Sequence, residues 1–173
     1  MILGAGLAGG RATRVGSDKA LAVLGGETLL ARAIATLRAQ CDAVVVVGRE
    51  GGLSDWPAHD MGPLGGLAAA LRHAAQNGFD AVLSLSVDAQ GVPDDLVERL
   101  SPAPAYVASQ PVIGLWPVAA LPVLEAILSG TGKHSLRALA EGCGARGVEL
   151  PVPPANINSP EDLARCEEVF HGL

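Results

Sequence analysis

The sequence predicts a three-layer α/β/α domain over residues 1–173, in which helices cover both faces of a mainly parallel sheet. Short apolar, β-branched runs alternate along the chain with segments whose apolar residues recur at helical spacing. Hydrophobic residues make up 49% of the chain and charged residues 17%, which is a globular composition. A chain of 173 residues can bury one self-sufficient core. Together these observations favour a single domain with a Rossmann-like sheet.

The first elements follow from local pattern. Residues 2–7 form a short apolar run that ends in glycines. A helix is predicted over 28–40, with Thr28 as its N-cap, because its apolar residues fall at helical spacing. The β-branched run at 43–47 is typical of a strand that is buried on both faces.

A second helix and an interior strand come next. Pro63 stands just inside the start of the helix predicted over 63–75, and Gly78 stands just past its end. The apolar run at 80–87 predicts a second interior strand. The remaining predicted elements are a short helix at 94–100, strands at 105–108 and 112–116, helices at 121–128 and 135–141, a strand at 148–152 and a closing helix at 160–170.

Charge and cysteine usage exclude several classes of function. The formal net charge is −6 and the isoelectric point is about 5.1, whereas proteins that grip nucleic acid are usually basic, so no nucleic-acid partner is expected. No apolar run reaches the roughly 18 residues of a membrane span, so no membrane partner is expected either. Cys41, Cys143 and Cys166 are widely spaced, without zinc-ligand spacing and without a secretory leader before them. We therefore expect reduced structural thiols in a cytoplasmic protein.

In a parallel sheet with helices on both faces, ligands bind beyond the carboxyl ends of the strands. Gly4 to Gly9 matches the G-x-G-x-x-G fingerprint of dinucleotide-binding proteins. Only three residues precede Gly4, too few for a full strand leading into a glycine turn, and the acidic residue expected about 20 positions further on is absent. The sequence therefore disfavours a dinucleotide-dependent oxidoreductase.

A segment that starts three residues later, residues 7–19, fits a phosphate-binding loop better than the Gly4–Gly9 match does. It begins with Leu7-Ala8-Gly9-Gly10. Its glycines let backbone N–H groups approach a phosphate chain. Arg14 and Lys19 can neutralise phosphate charge, and Lys19 and Lys133 are the only lysines in the chain. The loop lacks the G-x-x-x-x-G-K-S/T pattern of the ATPase P-loop.

This stretch resembles the L-A-G-G-x-x-x-R-M-G-x-D-K signature of the molybdenum cofactor guanylyltransferases, the MobA family of the nucleotidyltransferase superfamily. Val15 is the one departure, in place of Met. Further segments resemble the family in the same order: Gly62-Pro63-Leu64-Gly65-Gly66 its G-P-L-x-G helix start, Pro111 to Trp116 its P-x-x-x-L strand, and Asn156 to Leu163 its N-x-N-T-P-E-D-L tail.

The resemblance implies a fold of the nucleotide-diphospho-sugar transferase type and transfer of GMP from GTP to molybdopterin, with release of pyrophosphate. It implies Mg²⁺ as cofactor and GTP and molybdopterin as substrates. Arg14 and Lys19 would be the catalytic residues. The nucleotide would be contacted by Leu7, Ala8, Gly9, Gly10, Lys19, Asp55 and Asp88. Other molybdenum-cofactor biosynthesis proteins and apo-molybdoenzymes would be its protein partners, and we expect a monomer.

Asp88 is the expected Mg²⁺ ligand. It follows the interior strand, and Mg²⁺ prefers one or two carboxylates together with phosphate oxygens. The alternative is a helix cap, since a helix starts nearby, although Pro93 as its first residue would make Val92 the cap. The family usually has C-D-T-P here, whereas this chain has Val87-Asp88-Ala89-Gln90.

Asp55 is the second acid carried over from the family, because it stands seven positions before Gly62. Asp60 is its rival as the nucleotide contact. Asp60 lies closer to Pro63, where it could instead favour the dipole of the helix.

The sequence leaves two questions open: which nucleotide base is selected, and which residues contact the pterin ring of molybdopterin (the pterin side of the site). Some relatives carry Asn-x-Asn-Arg after the second strand, where this chain has Val46-Val47-Gly48-Arg49 and offers no side-chain amide. A CTP-dependent molybdopterin cytidylyltransferase is therefore one alternative, and a non-catalytic nucleotide-sensing relative is another. Residues that could line the pterin side are Arg49, His134, Ser135 and Arg137.

Overall fold

The computed structural model describes residues 1–8, 21–49, 51–58, 61–132, 134–157 and 159–171. The strands in these residues are β1 (Ile2–Leu7), β2 (Val23–Leu24), β3 (Glu27–Thr28), β4 (Ala43–Val47), β5 (Ala81–Ser86), β6 (Ala89–Gln90), β7 (Ala105–Val107), β8 (Gln110–Pro117), β9 (Arg146–Val148) and β10 (Ala155–Asn156). The helices are α1 (Leu29–Arg38), α2 (Gly62–Gln76), α3 (Leu96–Leu100), α4 (Leu121–Ser129), α5 (Leu136–Cys143) and α6 (Pro160–His171).

Six strands form the central sheet in the order β4-β1-β5-β8-β7-β9. Strand β1 pairs in parallel with β4 and β5, and β7 pairs in parallel with β9. Strand β8 is antiparallel to both β5 and β7, so within the described sheet it runs against the other strands. The prediction of a mainly parallel sheet is confirmed.

Two apolar clusters lie on opposite faces of this sheet. Along β5, Val82 packs into the cluster that contains α2, α4 and α5, whereas Leu83 and Leu85 pack into the cluster that contains α1 and α3. This alternation follows from the two-residue period of a strand. Each fully buried Leu or Val side chain stabilises the fold by about 1.5–3 kcal/mol, so helices on both faces are needed to cover the central strands.

The predicted helices form, and the starts of three of them are informative. Thr28 caps α1, and its Oγ1 accepts a hydrogen bond from the Ala31 N–H at 3.0 Å. Helix α2 carries Pro63 in its first turn, as predicted. Helix α3 begins at Leu96 with Asp95 in the N-cap position, two residues after the predicted start at Asp94, and neither Pro93 nor Val92 holds the start or the cap.

Two strand predictions need correction. Strand β4 lies at the edge of the sheet and most of its residues are only half-buried, so it is not covered on both faces. Residues 148–152 do not form the last strand, because the pairing with β7 ends at Val148. The apolar run at residues 2–7 forms a strand, as its pattern indicated, and Gly4 and Gly6 lie inside it.

None of the helices in the described ranges is long and apolar enough to cross a membrane.

Candidate functional site

The carboxyl end of β1 lies between the ends of two neighbouring strands. Leu7 is in register with Val47 of β4 on one side and with Ser86 of β5 on the other. Beyond the strand, the Ala8 N–H donates to the Val47 carbonyl at 2.9 Å. Because α1 and α2 pack on opposite faces, the crevice beside β1 is the place where sheets of this kind bind ligands.

The predicted phosphate loop begins with Leu7 and Ala8, which lie at this crevice. Leu7 and Ala8 are described, whereas Gly9, Gly10, Arg14 and Lys19 lie in residues 9–20, outside the described residues. The roles of these four residues remain predictions.

Gly4 and Gly6, the first two glycines of the G-x-G-x-x-G match, do not form a ligand-binding turn. Gly4 lies inside β1, where a methyl group would stand 3.0 Å from the Cβ of Leu37 and 3.1 Å from the Sγ of Cys41. Gly4 therefore permits close packing of the strand against α1 and the segment that follows it. A turn at Gly4 and Gly6 does not form, which agrees with placing the phosphate loop after Leu7.

Asp88 is buried immediately after β5, with 8% of its surface exposed. The Ser86 hydroxyl donates a hydrogen bond to Asp88 Oδ1. The Asp88 carbonyl accepts the Ile157 N–H at 2.9 Å. Asp95 holds the N-cap position of α3, so the alternative that Asp88 or Val92 caps this helix was wrong.

Two contacts hold the segment after Asp88 in place. Its Ala89 and Gln90 form β6, which pairs antiparallel with β10, so that Asn156 lies opposite Ala89. The Nε of Arg32, on α1, donates to Gln90 Oε1 at 3.2 Å. The residues that depart from the family pattern are therefore held by this chain's own contacts.

The tail motif is brought directly to the Asp88 loop. Ile157 is fully buried with Leu24 and Leu29 in a small cluster of its own. Its N–H at the same time donates to Asp88. Asn158, the second Asn of the motif, lies outside the described residues. Ile157 of the last motif thus contacts both the Asp88 loop and the segment around Leu24 and Leu29, from which much of the chain separates it.

Asp55 lies against the start of α2. Its Oδ2 accepts the Met61 N–H at 3.1 Å, and the N–H of the next residue, Trp56, donates to the Gly65 carbonyl at 3.1 Å. A carboxylate is favourable at the positive end of a helix dipole. The sequence offered this structural role to Asp60, which lies outside the described residues, and the structure gives it to Asp55.

The surroundings of Gly66 show that the start of α2, the end of β1 and Asp55 lie close together. A methyl group on Gly66 would lie 3.2 Å from Leu7 Cδ2, 3.6 Å from Val47 Cγ1 and 3.8 Å from Asp55 Oδ1. The start of α2, Asp55 and the end of β1 therefore meet at one place. The nearest of these atoms is the end of the Leu7 side chain, which can shift, so the distances show convergence of the segments and not a strict need for glycine.

A second concavity of about 460 Å³, which we name the α2–α5 groove, lies beside this crevice. It is lined by Pro63, Leu64, Ser109, Gln110, Pro111, Val112, His134, Ser135, Leu136, Arg137 and Asn156. Asn156 also pairs with Ala89, so the groove reaches the Asp88 loop.

The four residues considered for the pterin side separate in the structure. His134, Ser135 and Arg137 line the α2–α5 groove. Arg49 instead lines another pocket, of about 480 Å³, together with residues of β4 and Leu53. Three of the four thus share one surface.

Some residues of the site were missed by sequence reasoning. Ser86 stands two positions before Asp88, a spacing that puts both side chains on one side of an extended segment, and this signal was available. Gln110 and Arg32 carry no such signal, because their roles depend on contacts with distant parts of the chain.

Cys41 and Cys143 are poorly suited to act as nucleophiles. Burial raises the pKa of the Cys41 thiol from 9.0 to about 11, and burial also raises the pKa of Cys143. A thiol with a raised pKa is protonated at neutral pH and is a poor nucleophile. All three cysteines are free of disulfide bonds.

Comparison with known proteins agrees with this arrangement. The family model described as the MobA-like NTP transferase domain matches residues 4–146. The molybdenum cofactor guanylyltransferase of Acidiphilium cryptum is 40% identical, over 93% of this chain and 91% of the relative. The protein of the same name from Rhodobacter capsulatus is 37% identical, over 96% of this chain and 95% of the relative.

A solved structure shares the fold. Molybdopterin-guanine dinucleotide biosynthesis protein A from Archaeoglobus fulgidus superposes with a TM-score of 0.74 at 21% identity, covering 100% of both chains. The fold is that of the nucleotidyltransferases, of the nucleotide-diphospho-sugar transferase type. With matched motifs, fold and full-length relatives in agreement, the chain belongs to the MobA-like NTP transferase family.

Proposed function

We propose that this protein transfers GMP from GTP to molybdopterin in the cytoplasm, forming the guanine dinucleotide form of the cofactor and releasing pyrophosphate. The observation that carries the proposal is the buried carboxylate of Asp88 at the crevice beside β1, linked through Asn156 to the α2–α5 groove. The names of the full-length relatives support the same activity.

The nucleotide would bind along the predicted phosphate loop. Backbone N–H groups of Gly9 and Gly10, together with Arg14, would hold the triphosphate, as the family resemblance implies. Lys19 would offset the charge that builds on the α-phosphate during transfer. Leu7 and Ala8, at the end of β1, give this loop a fixed starting point on the sheet.

The residues present fit Mg²⁺. Asp88 and Ser86 supply only oxygen donors, and Mg²⁺ prefers one or two carboxylates completed by phosphate oxygens and water. No group of three or more His, Cys, Asp or Glu side chains in the described part of the chain forms a separate metal cage. Asp88 would hold the ion, which would supply charge neutralisation at the phosphates.

The transfer step needs positioning more than proton movement. An oxygen of the terminal phosphate of molybdopterin attacks the α-phosphorus of GTP, forming a new P–O bond. The bond from the α-phosphorus to the bridging oxygen breaks, and pyrophosphate leaves with the electron pair. The attacking oxygen is already anionic, so the chain need not provide a general base. Its residues contribute orientation and charge stabilisation.

The α2–α5 groove would hold the acceptor. Apolar residues at the start of α2 and of β8 offer walls for a flat ring system, and His134, Ser135 and Arg137 offer polar contacts. A molecule lying there can extend a phosphate toward Asp88, because Asn156 joins the groove to the Asp88 loop.

The experiment that tests this function measures pyrophosphate release with molybdopterin and Mg²⁺, offering GTP, CTP and ATP in parallel. We expect release with GTP. Release with CTP alone would replace the guanylyl assignment by a cytidylyl one, and no release with any nucleotide from folded protein would favour a nucleotide sensor.

A substitution in the phosphate loop adds a second arm to this test. Lys19→Ala should abolish transfer, and circular dichroism should show an unchanged fold, because Lys19 is assigned to charge at the α-phosphate rather than to packing. Lys19→Arg, which keeps the positive charge, should retain more activity than Lys19→Ala. Full activity in Lys19→Ala would refute the phosphate role.

A further inference from the structure

The guanidinium of Arg32, on α1, joins two segments of the chain that are distant in sequence. Its Nε donates to Gln90 Oε1 at 3.2 Å, and its Nη1 donates to the Leu24 carbonyl at 3.3 Å. Gln90 follows closely after Asp88 in the chain, and Leu24 is 2% exposed in the cluster that includes Ile157. One side chain therefore contacts both the Asp88 loop and the segment around Leu24.

These hydrogen bonds complete a closed ring of contacts that passes through Asp88. Leu24 packs with Ile157, and the Ile157 N–H donates to the Asp88 carbonyl at 2.9 Å. The chain then leads from Asp88 to Gln90, and Arg32 connects Gln90 back to Leu24. In a closed ring each contact limits the movement that the others allow, so the loss of one contact frees the Asp88 loop to move.

The other support of this segment is weak, whereas the helix that carries Arg32 is firmly held. Strands β6 and β10 pair over only two residues each, and both residues of β10 are exposed. A pairing of two short strands is marginal by itself in water. Helix α1 is capped by Thr28, and its Ala33 and Leu37 are buried in the cluster that contains Leu83 and Leu85 of β5. A donor on α1 therefore gives the Asp88 loop a fixed reference.

Arginine suits this task better than another donor would. Its planar guanidinium points several N–H groups in fixed directions, so one side chain can bind two separate acceptors. The two acceptors here, the Gln90 amide oxygen and the Leu24 carbonyl oxygen, are neutral. These two contacts therefore depend on the directions of the N–H groups and not on pairing with a negative charge.

We propose that Arg32 is a positioning residue, which acts through Gln90 to hold the Asp88 loop so that the Asp88 carboxylate is presented to Mg²⁺ at the crevice. This inference rests on the proposed function, because it assigns a support to the metal ligand named there. Groups that fix the orientation of a metal ligand raise the affinity of the site for the metal.

The test is a double-mutant cycle of Arg32→Met, Gln90→Met and the variant with both changes. Isothermal titration calorimetry gives the dissociation constant of GTP in Mg²⁺ and in EDTA, without an acceptor, so that no transfer occurs. The ratio of the two constants reports the contribution of the metal. Each single variant should lower this ratio about fivefold, and the double variant should lower it no further, because all three lose the same contact.

Three results would overturn the proposal. The first is an unchanged ratio in folded Arg32→Met and Gln90→Met. The second is a loss of about 25-fold in the double variant, because independent roles multiply. The third is an equal weakening of GTP binding in Mg²⁺ and in EDTA, which is the result expected of a merely structural role.

Arg146→Met is the matched control, because it removes an arginine that also donates to two backbone carbonyls. The Nη2 of Arg146, on β9, contacts the carbonyls of Leu100 and Pro102, each at 3.4 Å. Strand β9 lies at the opposite edge of the sheet from β4, and Arg146 does not line the α2–α5 groove. This variant should keep the wild-type ratio, and a loss equal to that in Arg32→Met would overturn the proposal.

Hydrogen exchange of the protein without ligands gives a second readout. The Ile157 amide, which donates to Asp88, should exchange about fivefold faster in Arg32→Met and in Gln90→Met, and at the wild-type rate in Arg146→Met. Unchanged exchange in the first two variants would contradict the ring of contacts.

Failure of this inference can be separated from failure of the proposed function. The proposed function fails in the wild type itself, if pyrophosphate is not released and Mg²⁺ does not affect GTP binding. The role of Arg32 alone fails if the wild type behaves as proposed while Arg32→Met and Gln90→Met keep its ratio and its rate of exchange.

Discussion

At the scale of single residues, two carboxylates near the crevice have different surroundings. Asp55 accepts a backbone N–H at the start of α2, which ties part of its carboxylate to a structural contact. Asp88 is buried at the end of a central strand, beside the Ser86 hydroxyl. These surroundings favour Asp88 as the metal ligand and make Asp55 at least partly a helix-positioning residue.

Asp88→Asn should lower transfer roughly 100-fold at fixed Mg²⁺ and raise the Mg²⁺ concentration needed for half-maximal rate. The amide has the shape of the carboxylate and can still accept from Ser86, so the thermal stability should change little. A magnesium titration of the rate, with thermal unfolding as the control, checks both points. An unaltered titration would exclude Asp88 as the metal ligand.

Cys41 gives a prediction about pH. Because burial raises its pKa to about 11, the folded state keeps the thiol protonated after the unfolded chain has begun to ionise near 9.0. The free energy of unfolding should therefore be unaffected by Cys41 below pH 9 and should fall between about pH 9 and 11. Urea unfolding at pH 8 and pH 10.5 should show a larger loss for wild type than for Cys41→Ala. Equal losses would show that Cys41 does not titrate in this way.

At the scale of elements, the start of α2 is the most tightly constrained part of the site. A methyl group on Gly65 would lie 2.3 Å from the Cβ of Met61, a distance that real Cβ atoms do not show. On Gly66 the nearest atom would be the flexible end of Leu7, at 3.2 Å. Neighbouring glycines of one helix therefore differ in what they tolerate.

Gly65→Ala should destabilise the protein by about 1–3 kcal/mol, because the first turn of α2 must move to accommodate the methyl group. Gly66→Ala should be much milder, since Leu7 can shift and alanine favours a helix by about 0.5–1 kcal/mol relative to glycine. Chemical denaturation of the two variants checks this order. Equal stabilities would contradict the close approach at Met61.

Most elements could be predicted from local pattern, and the failures have a common cause. The run of valines in β4 correctly predicted a strand, but not its place at the edge of the sheet, because strand order depends on pairing with distant segments. The end of β9 at Val148 likewise depends on the length of its partner β7. Periodicity reports which side of an element is apolar and does not report its neighbours.

At the scale of the whole molecule, the tail segment around Ile157 contacts parts of the chain that are distant in sequence. Ile157 packs with Leu24 and Leu29, which follow the predicted phosphate loop in the chain, and its N–H holds the Asp88 carbonyl. Ile157 therefore connects the segment around Leu24 and Leu29 to the Asp88 loop. This contact gives a physical reason for the last motif to occur together with Asp88.

Ile157→Ala should destabilise the protein by about 2–5 kcal/mol, and Ile157→Val by about 0.5–1.5 kcal/mol. If the tail positions Asp88, Ile157→Ala should also raise the Mg²⁺ requirement at a temperature where the protein is still folded, and Ile157→Val should do so only slightly. Denaturation curves and magnesium titrations of both variants measure the two effects. A loss of stability with an unchanged magnesium requirement would limit the tail to a packing role.

The sequence by itself determined the class of fold, most of the elements and the family, because amphipathic periods and contiguous motifs are local properties of the chain. It also named the candidate site residues Leu7, Ala8, Gly9, Gly10, Arg14, Lys19, Asp55 and Asp88, and it predicted the phosphate loop at residues 7–19 rather than at Gly4. Only the tertiary structure decided that β4 is an edge strand, that Asp55 supports α2, and that Asn156 joins Asp88 to the α2–α5 groove. These facts depend on which distant segments come into contact. Burial and pairing across the sheet set those contacts, and the order of residues along the chain does not display them.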